Sequence, residues 1–311
     1  MRFHYSDLYS TYSIVARDAE TGELGVAVQT HQMCVGRVVP WLSPGVGAIA
    51  TQSATNVSFG PMALTLLREG VPAPRVIDAL VATDPDAHRR QVAVVDAKGR
   101  VGAWTGQGCI AEAMHQIGEG YSVQANMMTH PTVVPAMAAA YERATGDLAH
   151  RMLTALVAAQ ADGGDIRGMQ SAALKVVSGD ARRPAWETIY DLRVDEHEDP
   201  VQELARLVRL RHAQLLAAAG EQSFKQGEVA QAFAQWSAAR AKAPELEELA
   251  FWQAVTLVEE PSNVEAAADI LRPVLAQNPR RAHWIDLIRR LRACGMIGRA
   301  GAAEELIAAL G

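Results

Sequence analysis

The order in which strand-like and helix-like segments follow one another constrains the fold of this chain most strongly. Over residues 1–197, short apolar runs bounded by glycine turns come in groups, and these groups alternate with pairs of segments that have helical spacing. The order is strands, two helices, strands, two helices, strands. Grouping of this kind favours an α+β domain, with stacked sheets between helical layers, over a strictly alternating doubly wound fold.

The segments behind this order are short and well separated. The predicted strands cover residues 11–16, 24–28, 47–52, 91–96, 101–105, 121–124, 171–177 and 189–194. The predicted helices begin at Pro61, where proline is tolerated in a first turn, at a segment carrying Val76 and Leu80 on one face, and at residues 132 and 148.

A second region begins after the acidic stretch at residues 195–200, so we predict one domain over residues 1–197 and another over residues 198–311. The second is almost wholly helical. Pro244 and Pro279 lie 35 residues apart, each after aromatic and small residues, which is close to the ~34-residue tetratricopeptide period. A tetratricopeptide-like tail is therefore expected, and an ordinary helical bundle is the alternative. About two and a half repeats are too few to be stable alone, so we expect the tail to pack on the first domain or on another subunit.

Composition excludes several classes of function. The chain has 311 residues with 29 Lys plus Arg against 35 Asp plus Glu, a net charge of −6, which argues against a nucleic-acid binder. Apolar runs are shorter than the roughly 18 residues that span a bilayer, and the first residues do not resemble a secretory signal. The three cysteines are widely scattered and predict reduced thiols in a cytoplasmic protein.

Cofactor and metal motifs are missing from the sequence. It contains no P-loop, no GxSxG elbow, no HExxH and no GxGxxG that opens a helix after a strand, so we expect no cofactor. The histidines lack ligand spacing, so no metal is expected. Cys34, three residues after His31, is better explained as a packed thiol than as a nucleophile.

The first predicted strand carries the strongest chemical signal. Thr11 and Ser13 are two residues apart, so both hydroxyls emerge on one face of a strand. A hydroxyl needs an adjacent base to act as a nucleophile, and the α-amine of a chain that begins at that residue can supply it. Its ordinary pKa of about 7.7–8 suits neutral pH. The glycine-rich turn before residues 47–52 could provide backbone N–H groups to an oxyanion.

Several motifs resemble a bacterial family, domain of unknown function ten twenty-eight. They are TYSIVARDAETGELGVAV, VVPW, GVGAIATQS, FGP, RQVAVVDAKGRVGAWTG, GYSVQAN, ADGGDIRG, QSAAL and DLRVDEHEDP, and they cover residues 11–200 almost continuously. The family is grouped with the N-terminal-nucleophile (Ntn) hydrolases. This resemblance implies a four-layer αββα sandwich and cleavage of amide bonds.

The resemblance also implies roles for individual residues. Thr11 matches the family's leading threonine and would be the nucleophile. Gln124 and Asn126 match its Q-G-N motif and would orient the substrate or complete an oxyanion hole. Asp165 would hold the nucleophile in register. The remaining implied substrate contacts are Gln52 and Ser53 at the end of the third strand, Asn56 in the following loop, and Arg167.

Three features depart from the family pattern. Residues 109–114 replace its usual Trp-Ala-Gly, and Ala125 stands where glycine is usual. Ten residues also precede Thr11, so removal of Met1 would not expose its amine. Either the chain cleaves itself before Thr11, or this mechanism does not operate as described.

Two functions from different classes follow. The first is an Ntn-type hydrolase that acts on a small amide, a ureido compound or a short peptide. Arg37, Arg90 and Arg167 would suit a substrate bearing a carboxylate. The second is an inactive scaffold whose helical tail binds a protein partner. In either case we expect a homo-oligomer.

Overall fold

The computed structural model describes Leu8, Tyr9 and residues 11–311, which form two compact units, Met1–Val208 and Arg209–Gly311. In the described part of the first unit there are eleven strands and four complete α-helices, and α5 begins there. The strands are β1 (Leu8–Tyr9), β2 (Thr11–Arg17), β3 (Leu24–Thr30), β4 (Pro40–Ser43), β5 (Gly47–Ala54), β6 (Arg90–Asp96), β7 (Val101–Thr105), β8 (Met114–Gly118), β9 (Tyr121–Asn126), β10 (Ser171–Val177) and β11 (Thr188–Val194). The helices are α1 (Phe59–Arg68), α2 (Ala73–Thr83), α3 (Val133–Arg143), α4 (Leu148–Ala161) and α5 (Pro200–Lys225).

The strands form two antiparallel sheets. The first has the order β1-β5-β6-β7, and β4 shares one edge of β5 with β1. The second has the order β11-β10-β3-β2-β9-β8, so β2 and β3 lie at its centre. These sheets confirm the predicted α+β class.

The two sheets face each other across an apolar core. Alternation directs Val15, Val26 and Val28 of the second sheet toward Ala50 and Val95 of the first, and all five are fully buried. Burial of each valine contributes roughly 1.5–3 kcal/mol to stability. Helices α1 and α2 pack on the first sheet, and α3 and α4 pack on the second. The unit therefore has four layers, with a helix pair on each outer side.

The second unit is helical. Most of α5 belongs to it, followed by α6 (Val229–Lys242), α7 (Glu247–Leu257), α8 (Val264–Leu275), α9 (Arg281–Ala293) and α10 (Ala302–Leu310). Its core contains Trp236, Phe251 and Leu271, and the rings of Phe251 and Trp284 lie 4.7 Å apart. Helix α8 packs against both α7 and α10. The helical region is thus present as predicted, and its likeness to tetratricopeptide repeats stays a prediction.

In the described part of the chain, no helix combines the length and apolar character needed to cross a membrane.

Candidate functional site

The space between the sheets changes from apolar to polar toward the start of β2. Thr11, Ser13 and Val15 share the face of β2 that looks toward the other sheet. Val15 belongs to the apolar core, whereas Thr11 and Ser13 lie beyond it, and both are fully buried. Buried hydroxyls and amides are stable only when they find hydrogen-bond partners, so this end of the sandwich must contain a polar network.

Ser13 lies at the inner end of that network. Its Oγ donates to Gln52 Oε1 of the opposite sheet at 2.6 Å and accepts from Gln124 Nε2 of β9 at 2.6 Å. Gln124 Oε1 in turn accepts from Ser122 Oγ at 2.9 Å. These hydrogen bonds join the side chains of Ser13 and Gln124, and the bond from Ser13 to Gln52 links the two sheets.

Gln91 on β6 is the centre of the network, although the sequence analysis did not identify it. Its Oε1 accepts from Gln52 Nε2 at 2.8 Å and from Asn126 Nδ2 at 3.0 Å. Its Nε2 donates to Thr105 Oγ1 at 2.9 Å and to two backbone carbonyls of the facing sheet. The sequence pattern that could have identified Gln91 is its position on the face of β6 that otherwise carries the apolar residues Ala93 and Val95.

Thr11 occupies the outer end of the network. It pairs with Thr30 of β3 on one side and with Asn126 of β9 on the other. Its carbonyl accepts from Gln52 Nε2 at 3.3 Å. Tyr9 pairs instead with Ser53, in the other sheet. Thr11, Asn126, Gln52 and Ser53 are therefore gathered at one end of the sandwich.

Asp165 reaches the same end from the loop after α4. Its Oδ2 accepts from the backbone N–H of His31 at 3.1 Å, one residue after Thr30. Arg167 Nη2 also donates to Oδ2, at 3.0 Å, and the backbone N–H of Arg167 donates to Oδ1 at 2.9 Å. Asp165 is only 3% exposed, so this ion pair compensates a nearly buried carboxylate.

A cleft of about 430 Å³ borders the network on the side of β7 and β8, and its lining includes Thr105, Cys109, Glu112 and His115. His115 Nδ1 lies 2.9 Å from Thr105 Oγ1, which joins the cleft to Gln91. Burial lowers the pKa of His115, so its ring is neutral at pH 7. Burial raises the pKa of the Cys109 thiol, and a hydrogen bond with Ser53 opposes that rise. Cys109 is therefore a thiol and not a thiolate at neutral pH.

Asn56 belongs to a different cluster. Its Nδ2 donates to Asp84 Oδ2 at 3.1 Å, and its Oδ1 accepts from the backbone N–H of Ser58 at 3.1 Å. Arg90 Nε donates to the same Asp84 oxygen at 2.9 Å. Burial acts to raise the pKa of Asp84, but hydrogen bonds led by Arg90 outweigh it and lower that pKa. Asn56 and Arg90 thus have a structural role, because both hold the Asp84 carboxylate in place. Their contacts with a substrate stay predictions.

Within the described residues, no three His, Cys, Asp or Glu side chains are grouped as ligands for a metal ion.

Solved structures provide two comparisons. Protein SPO2555 from Silicibacter pomeroyi, which carries the DUF1028 family name, is 30% identical with a TM-score of 0.59, and the match covers 64% of this chain and 85% of that one. Anbu (ancestral beta-subunit) from Yersinia bercovieri is 11% identical with a TM-score of 0.33, covering 63% of this chain and 91% of that one. No curated protein matches the chain.

The match to a protein-family model includes all residues of the candidate site. The model of the family described as "Family of unknown function (DUF1028)" matches residues 11–204, from the first residue of β2 into α5. Thr11, Gln91, Asn126 and Asp165 all fall within the match. The chain therefore belongs to the DUF1028 family.

Proposed function

We propose that this protein is an Ntn-type hydrolase that cleaves a C–N bond of a small amide, a ureido compound or a short peptide, with Thr11 Oγ1 as the nucleophile. The position of Thr11 carries the proposal. It is the first residue of a central strand, beside Asn126 and Gln52, while Tyr9 pairs with the opposite sheet. A nucleophile that uses its own amine as base needs such a place, at the start of a rigid strand and next to amide donors.

The reaction requires a free amine at Thr11. In the uncut chain the nitrogen of Thr11 is an amide and has no basicity, so the bond from Ser10 to Thr11 must first be cleaved. We infer that Thr11 Oγ1 attacks the Ser10 carbonyl and that the acyl group moves from nitrogen to oxygen. Water then hydrolyses the ester, which releases residues 1–10 with a new carboxylate and leaves a free amine and hydroxyl on Thr11.

The mature Thr11 would then act on the substrate. Its amine takes the hydroxyl proton as Oγ1 attacks the substrate carbonyl, and the tetrahedral oxyanion accepts hydrogen bonds from nearby amide donors. The C–N bond breaks, and the leaving nitrogen takes that proton. Water hydrolyses the resulting ester and restores Thr11.

The neighbouring residues would position these groups. Asn126 pairs with Thr11 in the sheet, and Gln52 Nε2 donates to the Thr11 carbonyl at 3.3 Å, so their side-chain amides would be the donors. Asp165, anchored next to Thr30, would stabilise the charged amine as it forms. Gln124 would support the site through its hydrogen bond to Ser13, and Ser53 through its hydrogen bond with Cys109. Arg167 would hold Asp165 in place through their ion pair.

Intact-mass measurement and Thr11 variants test the proposal together. We expect the purified protein to lose residues 1–10 and to hydrolyse members of a panel of small amides and ureido compounds. Thr11→Ala should stay at full length and be inactive, whereas Thr11→Ser should cleave and retain activity. Hydrolysis by a full-length Thr11→Ala protein would overturn the proposal.

The scaffold alternative is favoured by one observation: Thr11 is fully buried and Tyr9 is paired with Ser53, so the preceding strand is integrated into the first sheet. This alternative expects an uncut protein with no turnover. The helical tail would then serve as a binding module, and size-exclusion chromatography with light scattering would test the expected homo-oligomer.

A further inference from the structure

A second cleft lies at the end of the sandwich opposite Thr11. It has a volume of about 520 Å³ and lies between the turn before β5, the end of α1, the turn between β6 and β7, and the loop after β10. Its charged lining residues are Arg68, Lys98, Arg100, Arg183 and Asp96, and we call it the basic cleft. Within β5, Gly47 follows Val46 of this cleft, and Ser53 pairs with Tyr9 at the end of the sandwich that contains Thr11. Six residues of strand correspond to about 20 Å, so the two sites are separate.

The basic cleft has more positive than negative charge. Arg100 pairs with Asp96 at 2.7 Å, and Arg183 pairs with Glu187, outside the lining, at 2.7 Å. Within the described residues, Arg68 has one hydrogen bond, to the neutral Ser43 Oγ at 3.1 Å. Among the described residues, Lys98 Nζ has neither an ion pair nor a hydrogen bond. The described residues therefore leave these two cations without a carboxylate partner, in a chain whose net charge is −6.

Arg17 does not line the basic cleft but lies close to the turn that carries Lys98. Its Nη1 lies 4.0 Å from the position of a side chain built on Gly99, in the turn that carries Lys98. Its Nε is buried, and the described part of the chain offers it no hydrogen-bond acceptor. A buried N–H without a partner costs about 1–3 kcal/mol in general.

The walls of the basic cleft are held in place by the backbone. Asp96 Oδ1 accepts from the N–H groups of Lys98 and Arg100 at 2.9 and 3.1 Å, which fixes the turn between them. Gly45 has φ +59° and donates its N–H to the Ser178 carbonyl at 3.0 Å. A side chain on Gly45 would meet the nitrogen of Ala181 at 2.4 Å, so only glycine allows this approach of the two loops. The cations thus project from a preformed frame.

We propose that the basic cleft binds a small anion with two or more negative charges, of the phosphate-ester or polycarboxylate type. Guanidinium groups bind such oxygens through paired N–H donors, and an ammonium adds a mobile point charge. A cleft of this volume admits a small molecule. Glu187 and Asp96 are already engaged with Arg183 and Arg100, so they oppose the anion little.

Titration calorimetry of the full chain with sodium pyrophosphate tests the proposal. We expect saturable binding of one pyrophosphate per chain at low salt, weaker at high salt because exposed charges are screened. Arg68→Gln and Lys98→Gln should each weaken binding about tenfold, as expected for the loss of one charge-assisted hydrogen bond. Both side chains are exposed, so neither variant should disturb folding.

Arg75→Gln is the matched control, since Arg75 is 76% exposed, pairs with Asp78 on α2 and does not line the cleft. It should bind pyrophosphate like the unmodified protein, and so should Thr11→Ala, because this site does not depend on hydrolysis. Absence of saturable binding, or equal weakening by Arg75→Gln and Arg68→Gln, would overturn the proposal. Loss of hydrolysis in Thr11→Ala with intact pyrophosphate binding would support an anion site that is independent of Thr11.

Discussion

Gln91 illustrates how single residues make the interior of this protein both polar and stable. An isolated buried amide is destabilising, but here Gln91 Oε1 accepts two hydrogen bonds and the two N–H groups of Nε2 are shared among three acceptors. Its partners come from both sheets, so they stay satisfied only while the sheets are stacked in one register. The network therefore specifies the alignment of the sheets more than it adds net stability.

Asp84 supports a prediction of pH dependence at the residue scale. Its pKa is lowered in the folded protein, so ionised Asp84 stabilises the fold above its unfolded pKa of about 3.9. That contribution is lost as the pH falls through the lower folded value. Asp84→Asn should therefore reduce the free energy of unfolding by about 1–3 kcal/mol at pH 7 and flatten its acid dependence, measured by urea unfolding between pH 3 and pH 7.

Asp78→Asn is the control, because Asp78 forms an exposed pair with Arg75 that contributes little. It should leave the unfolding free energy within about 0.5 kcal/mol of the unmodified value at each pH. An acid dependence unchanged in Asp84→Asn would contradict the assignment of the stabilising charge to Asp84.

At the scale of elements, α1 contains a glycine, Gly60, at a position where β4 leaves no room for a side chain. Alanine is normally favoured over glycine within a helix by about 1 kcal/mol. A Cβ on Gly60, however, would lie 2.2 Å from Trp41 Cγ of β4, and the ring is held by a 2.9 Å hydrogen bond from Trp41 Nε1 to the Val38 carbonyl. We therefore predict that Gly60→Ala destabilises the protein by about 1–3 kcal/mol, measured by thermal or urea unfolding.

The double variant separates the clash from helix propensity. In a Trp41→Ala background both Cγ and the ring that obstruct the new Cβ are absent, so Gly60→Ala should be neutral or stabilising. A penalty for Gly60→Ala that is the same in both backgrounds would show that Trp41 is not its cause.

Most elements could be predicted from periodicity, because their residues bury a face of their own. The apolar runs at residues 11–16 and 171–177 coincide with β2 and β10, and the helix predicted from Pro61 begins at Phe59. Among the described strands, three short edge strands, β1, β4 and β8, were not predicted. β4 begins at a proline, and β8 has Met114 and Ile117 exposed, so pairing with a neighbour and not burial defines them.

The candidate site was only partly predictable for a related reason. Thr11 and Asn126 could be named from the sequence, but their pairing depends on the register of β2 and β9. Gln91 comes from the opposite sheet, and no local pattern reveals which strands stack. Asp165 follows two glycines with positive φ, and the path of such a loop is not encoded in a period.

At the scale of the whole molecule, the two compact units have cores of their own. Two apolar clusters of the sandwich lie entirely within residues 1–208, and two clusters of the helical region lie entirely within residues 209–311. We predict that a chain of residues 1–208 folds without the tail. It should give a near-ultraviolet circular dichroism signal and a cooperative unfolding transition.

A chain of residues 1–225 is the matched comparison, because it also lacks the tail but keeps all of α5. If residues 1–208 fold less stably than residues 1–225, the later turns of α5 support the first unit. A disordered product from both chains would contradict independent folding.

The pairing of Tyr9 and Thr11 with different sheets has a consequence for the timing of activation. Tyr9 and Thr11 are held by different layers, so the proposed cleavage point before Thr11 meets the amide neighbours of Thr11 only after both layers have assembled. Under the proposed chemistry, an incompletely assembled copy keeps its leader and remains a dormant precursor. Cleavage before Thr11, and with it activity, would thereby depend on correct folding.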